Sequence, residues 1–292
     1  MKQFFLLLFN LLLVLAAGAQ SKQIKLWKDV LSMKTQPAKM YIYPAPKDNN
    51  SGVAVIIFPG GSYSHTMGIV TEGFDVAEWL NSQGINAFVV KYRTGNRGYH
   101  HPAMIQDAQY SIHYVREHAK EYGIDPDKVG TMGFSAGGHL ATMCGAFYKE
   151  NYLQKLGIKD NISLKPDFVV PIYPVVSMRD GIVHERSRRN LLTKHYTPEE
   201  QAKFSLELSI PRDMPPVFLA TAKDDPVVKY QNSVELERSL RKSDIPHKFM
   251  LYETGGHGYG LDEKIAPEAS KWKYEFIKWL KEIKIFYGME FY

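Results

Sequence analysis

"KVGTMGFSAGGHLA", residues 128–141, sets a serine between glycines where the character of the chain changes. The residues before Ser135 close a turn and read as a short strand. Residues 136–147 are small and apolar and read as a helix. Gly-x-Ser-x-Gly alone arises by chance in roughly one chain of this size in ten, so its surroundings must decide. A tight strand-to-helix turn is the setting the pattern needs. It lifts the Ser135 hydroxyl above the sheet and leaves the Ala136 N–H at a helix N-terminus, where the dipole favours negative charge.

Outward from that turn the chain alternates. "VAVIIF" (53–58) is a continuous apolar, β-branched run, the mark of a strand covered on both faces. Residues 73–83 carry Phe74, Val76, Ala77 and Leu80 on one helical stripe. "INAFVVKY" (85–92) is a strand, and residues 102–123 read as one long helix opened by Pro102 and closed by Gly123. Strands at 167–173, 216–222 and 247–252 alternate with helices at 227–242 and 267–284. "KMYIY" (39–43) looks like an edge strand. This order predicts an α/β fold, a mostly parallel central sheet with helices on both faces. Residues 177–215 break the rhythm. They are long, polar and charged, and read as either a lid over a site or a surface excursion.

A serine hydroxyl is a weak nucleophile and needs a base that is itself oriented by an acid. "GGHGYG" (255–260) offers His257, flanked by glycines in a loop after a strand, a setting poorly explained as core packing. "ATAKDDPVV" (220–228) offers Asp224 and Asp225 where another strand ends. Only one can face His257, leaving the other for solvent or for capping the next helix. "FPGGSY" (58–63) follows an early strand at once, and its backbone is the candidate oxyanion hole: Gly61 and Ser62, with Ala136, are the expected donors. Gly60, Tyr63 and Tyr259 are candidate substrate contacts. For these tyrosines, and for Tyr173, packing in the core is the alternative.

The 292 residues, 45% hydrophobic and 23% charged, suit an ordinary globular protein. The net charge of +5 is spread out, with no basic block or aromatic-interleaved stripe, so nucleic-acid binding has no support. After "MKQ", the apolar run at 4–17 has the length of a signal-peptide core rather than of a membrane span. Ala17 and Ala19 then sit at the −3 and −1 positions of a cleavage site. The expectation is a signal peptide at 1–19 and one catalytic domain at 20–292, exported to periplasm or medium. Its single cysteine, Cys144, allows no internal disulfide and reads as a buried small hydrophobe.

Taken together, "IIFPGGSY", "EWLNSQGINAFVVKYR", the stretch at 101–141, "PPVFLATAKDDPVV" and "GGHGYGL" resemble α/β-hydrolase esterases of the hormone-sensitive-lipase and acetylxylan-esterase type, including exported bacterial carbohydrate esterases. The order Ser, Asp, His is the one this fold uses. The resemblance implies Ser135 as nucleophile, His257 as base and Asp225, the aspartate of Asp-Pro-Val-Val, as acid. It departs at Ser62, where relatives often carry a third glycine, and at Lys229, where many carry proline. It implies a serine-dependent ester hydrolase needing no cofactor or metal, with acetylated plant-polysaccharide oligosaccharides as substrate. Three alternatives are a peptidase of the prolyl-oligopeptidase kind, a general short-chain carboxylesterase or lipase, and a binding module on an inactive hydrolase fold. The first is disfavoured because only about 30 residues separate the signal segment from the first long strand.

Overall fold

The computed structural model describes residues 21–159 and 161–287. The expected signal segment at 1–19 lies outside the described residues. One eight-stranded sheet organises the chain, in the order β1-β2-β4-β3-β5-β6-β7-β8. The strands are β1 (Lys22–Lys25), β2 (Lys39–Tyr43), β3 (Ala54–Phe58), β4 (Asn86–Lys91), β5 (Val129–Phe134), β6 (Val169–Ile172), β7 (Val217–Ala222) and β8 (His247–Tyr252). From β3 to β8 every pairing is parallel, whereas β1 and β2 run antiparallel at one edge. This is the α/β-hydrolase architecture that the resemblance implies. At the sheet edge the placement differs from expectation. "KMYIY" is not an edge strand, because the short polar β1 pairs outside it.

Side chains that alternate along a strand feed two separate cores. Ile56 and Phe58 of β3 join one apolar cluster, and Val55 and Ile57 join the other. The first cluster receives α2 (Ala103–Glu117), α4 (Ala136–Ala146) and α7 (Gln231–Lys242), through residues such as Ile105, Leu140 and Leu236. The second receives α1 (Asp75–Ser82) and α8 (Trp272–Glu282), through Leu80, Trp272 and Phe276. Each such side chain stabilises the fold by about 1.5–3 kcal/mol. Every residue of β3, β5, β6 and β7 is buried, which is why β3 reads as an unbroken apolar run and the others carry apolar and small residues on both faces, with only Thr131 and Thr221 polar.

The long helix expected at 102–123 breaks at His118, and a short α3 (Ala119–Tyr122) follows. Residues 177–215 hold α5 (Glu185–Leu192) and α6 (Pro198–Lys203). Thr197 starts α6 with a reciprocal capping box to Glu200. This segment lies against the functional edge: Asn190 Nδ2 donates to Ser62 O at 3.0 Å, and Arg186 Nη2 lies 3.3 Å from Ser64 Oγ. Among the described residues no helix is long and apolar enough to cross a membrane. Cys144 is buried, and burial raises its thiol pKa far above the ordinary value.

A candidate active site at the carboxyl edge of the sheet

The ends of β3, β5, β7 and β8 deliver the four loops that sequence reasoning singled out. Strand β5 gives way to α4 at Ser135, whose φ of 55° and ψ of −119° lie outside the ordinary regions for a side-chain-bearing residue. The turn is that tight because the flanking residues are glycines. A Cβ on Gly133 would overlap the Gly137 carbonyl, and one on Gly137 would overlap the Phe58 carbonyl of β3. The glycine spacing thus lets the start of α4 lie directly on the sheet, with Ser135 at its tip.

His257 Nε2 lies 2.9 Å from Ser135 Oγ, and His257 Nδ1 lies 2.6 Å from Asp225 Oδ2. The residues come from positions 122 and 32 apart in the chain. An ionised carboxylate only accepts, so Nδ1 carries the ring proton and Nε2 is free to accept from the serine hydroxyl. The Asp225 side chain is fully buried. Its other oxygen, Oδ1, accepts from the N–H groups of Val227 and Val228 at 2.8 and 2.9 Å, which aims the carboxylate. Asp224 does something sequence reasoning did not foresee. It is exposed, as one of the two readings expected, and it also takes two backbone donors: its Oδ1 accepts from the N–H groups of Gly255 and Gly256 at 2.9 and 2.8 Å. The aspartate pair therefore divides the work, Asp225 holding the imidazole and Asp224 holding the loop that carries it.

Opposite the triad, the loop after β3 turns through three positive φ angles, 137° at Gly61, 57° at Ser62 and 56° at Tyr63. Its polar groups are taken one by one. Gly60 N–H donates to Glu72 Oε2 at 2.7 Å. Gly61 O accepts from Ser64 and His65, Ser62 O from Asn190, and Tyr63 O from Gly95. Among the described residues, no acceptor takes the N–H of Gly61 or Ser62. Ala136 N–H, first in α4, has no intrahelical acceptor either. Successive backbone donors in such a turn form a concavity that suits an anion.

The expected substrate contacts need correcting. Tyr63 and Tyr259 are fully buried and cannot stack on a sugar from solvent. The Tyr63 hydroxyl lies 2.9 Å from His139 Nδ1, and the Tyr259 ring packs edge-on to Tyr173 at 4.6 Å. Gly60 has its N–H committed to Glu72, which leaves it no donor for a substrate. Tyr173 is buried too, with its ring centroid 4.9 Å from that of His257. Sequence reasoning missed Glu72, the role of Asp224, and the residues that 177–215 brings to the rim. Among the last is His184, whose pKa is pushed down by burial and by the neighbouring His257 and Arg186. Beside Asp225 a cleft of about 480 Å³ opens between Gly181, Ile182, Lys229 and Tyr230.

His139, on α4, ties the loop after β3 to residues 177–215. Its Nε2 lies 2.9 Å from Phe204 O, and a carbonyl only accepts, so Nε2 is protonated and Nδ1 accepts from Tyr63. Burial pushes its pKa down to about 4. The unfolded chain takes up this proton near pH 6.5 and the fold does not. Its neutral form is therefore fully stabilising above pH 6.5, and stability falls as the pH drops from there towards 4, by about 3 kcal/mol for this group alone. His101, also pushed down to about 4 by burial, acts in the same direction. Asp107, whose carboxyl burial raises to about 6, works in the opposite direction over part of this range. Urea unfolding at pH 7.5 and pH 5 is therefore run on the wild type and on His139→Gln, and the wild type is expected to lose more stability at the lower pH than the variant. Equal losses would contradict the buried neutral His139.

The sequence profile of the BD-FAE family matches residues 40–240, a span that holds Ser135 and Asp225 and ends before His257. An acetylxylan esterase of Xylanibacter ruminicola is 30% identical over 254 residues, covering 86% of this chain and 49% of that protein. Endo-1,4-beta-xylanase B of Butyrivibrio fibrisolvens is 32% identical over 212 residues, covering 70% of this chain and 32% of its own length. The chain thus spans about half the length of the first relative and a third of the second. A crystal structure of an acetyl ester-xyloside bifunctional hydrolase from Caldicellulosiruptor lactoaceticus superposes with a TM-score of 0.80 at 32% identity, covering 91% of this chain and 97% of that one. With the strand order, the serine elbow and these matches in agreement, the chain belongs to the BD-FAE family of α/β-hydrolases.

Proposed function

We propose that the protein is a serine-dependent carboxylic ester hydrolase that removes acetyl groups from xylan or its oligosaccharides. The observation that carries this reading is the unbroken hydrogen-bond chain from Ser135 through His257 to the buried Asp225, facing backbone N–H groups that no protein acceptor takes. Ser135 Oγ attacks the ester carbonyl while His257 Nε2 takes its proton. The negative charge that develops on the carbonyl oxygen falls among the N–H groups of Gly61, Ser62 and Ala136. Each such donor contributes about 3 kcal/mol to transition-state stabilisation. Asp225 stabilises the imidazolium, which then gives its proton to the departing sugar oxygen as the ester C–O bond breaks, releasing the sugar hydroxyl. Water enters, His257 removes its proton, and the acetyl-enzyme is hydrolysed by the same steps in reverse order.

The acetyl and xylan parts of the reading draw on the relatives: an acetylxylan esterase, a xylanase and an acetyl ester-xyloside hydrolase. Export is proposed on the apolar N-terminal run alone, and suits a polymeric substrate outside the cell. The decisive assay is release of acetate from acetylated xylo-oligosaccharides, run beside p-nitrophenyl acetate and butyrate. Cleavage of both acetyl substrates, with the butyrate slower, is the expected result. Turnover of the p-nitrophenyl esters alone would keep the esterase and remove xylan. Turnover of neither would remove the esterase.

A further inference from the structure

Glu72 is a buried carboxylate at the heart of the site that the triad does not use. It lies between β3 and α1 and is 5% exposed. Among the described residues its side chain meets no lysine or arginine. It accepts two hydrogen bonds, from Gly60 N–H at 2.7 Å through Oε2 and from the Tyr173 hydroxyl at 2.9 Å through Oε1. Burial raises the pKa of this carboxyl, the bonds from Gly60 and Tyr173 oppose that rise, and a buried carboxylate without a cation demands well-placed donors. Here both donors belong to the walls of the active site. The Tyr173 hydroxyl in turn accepts from Gly260 N–H at 3.1 Å, in the loop that carries His257.

We infer that Glu72 is a positioning residue for the oxyanion hole, a strut that sets the loop of Gly61 and Ser62 at a fixed distance from the loop of His257. The inference rests on the triad reading above. Gly60, Gly61 and Ser62 present three successive N–H groups, and only those left free can serve a substrate. By drawing the first one inward, Glu72 fixes the peptide plane from which the next two are turned outward at φ 137° and 57°. The far end of the loop is pinned independently, through Asn190 on Ser62 O, Gly95 N–H on Tyr63 O, and His139 on the Tyr63 hydroxyl. At its near end the Tyr92 hydroxyl donates to Pro59 O at 2.8 Å, and among the described residues Glu72 is the side chain that takes the Gly60 N–H and so sets the orientation of that peptide. Through Tyr173 the same carboxylate holds the histidine loop, so donor and base are referenced to one group. Oxyanion donors act over a few tenths of an ångström, and a misplacement of about 1 Å costs on the order of a hundredfold in rate.

Glu72→Gln tests this with little change of shape. An amide accepts at one end only, so it either loses the Gly60 bond or keeps the Tyr173 contact only with its direction reversed, the amide donating and the hydroxyl proton left without its carboxylate acceptor. Tyr173→Phe cuts the strut from its other side without touching the Glu72 side chain. With p-nitrophenyl acetate and active enzyme counted by titration, each variant is expected to lower kcat about 10- to 100-fold with KM within about threefold of wild type. Affinity for an alkyl boronic acid, whose adduct places an oxygen in the oxyanion position, is expected to fall in step with kcat/KM. The double variant is expected to lose no more than the worse single one, since both cut the same connection. A lower melting temperature with unchanged kcat and boronate affinity in both variants would reduce Glu72 to a structural group and overturn the inference. So would losses that simply multiply in the double variant. Ser135→Ala, run alongside, separates the two levels. If it retains wild-type activity, the triad reading fails and takes the strut with it. If it is inactive while Glu72→Gln and Tyr173→Phe turn over normally, only the strut fails.

Discussion

Replacing Ser135 by alanine is expected to lower kcat for p-nitrophenyl acetate by about 10⁴- to 10⁶-fold, the scale on which loss of a triad nucleophile acts. The fold is expected to survive. Ser135 occupies φ 55° because the elbow imposes it, and alanine is strained there about as much as serine is. No buried partner is orphaned, because the lost hydroxyl bonds only His257 Nε2 at the mouth of the site. The unfolding midpoint should therefore stay within a few degrees of wild type, while labelling by a fluorophosphonate disappears. The oxyanion donors remain, so residual hydrolysis above the rate in water is compatible with the mechanism. Full activity or undiminished labelling in the variant would end the nucleophile assignment, however good the geometry.

The second large effect separates two adjacent aspartates. Asp225→Asn is expected to cost about 10³- to 10⁴-fold in kcat. Its side-chain oxygen still suits the N–H groups of Val227 and Val228, which turns the new NH2 group towards His257 Nδ1. That nitrogen must then accept, so the ring proton moves to Nε2, and the imidazole can no longer take a proton from Ser135. Asp224→Ala leaves the tautomer alone. It frees the N–H groups of Gly255 and Gly256 on a partly exposed loop, so about 1–2 kcal/mol of stability and no more than about tenfold in kcat are expected to go. Measuring kcat and the unfolding midpoint for both variants decides the matter. Equal losses in kcat, or a larger one at Asp224, would reverse the division of labour.

Much of this protein is legible without coordinates, and for a common reason. The buried parallel strands show as apolar runs because both their faces are covered, and helices show by their stripe. Ser135, His257 and the aspartate pair are marked by glycines and by their place just after strands. All these signals lie within about ten residues of chain. Where local pattern is weak the reading falters. The polar four-residue β1 carries no alternation to notice, and exists because it pairs with β2. The break at His118 lies inside an otherwise continuous helical stretch. Tyr63 and Tyr259 sit in the right loops but point into the core, and a loop position does not reveal a side-chain direction.

By itself the sequence determined the α/β class, the serine elbow, the histidine and the choice of two aspartates. Tertiary structure alone decided between those two, turned Asp224 into the anchor of the histidine loop, and placed residues 177–215 against the loop after β3. It also brought Glu72 under Gly60, 12 residues away, and against Tyr173, 101 residues away. The physical reason is the range of the forces involved. Periodicity and turn chemistry are written residue by residue along the chain. A buried carboxylate has no local pattern, and its hydrogen bonds exist only after the sheet has assembled and excluded the water that would otherwise have satisfied it.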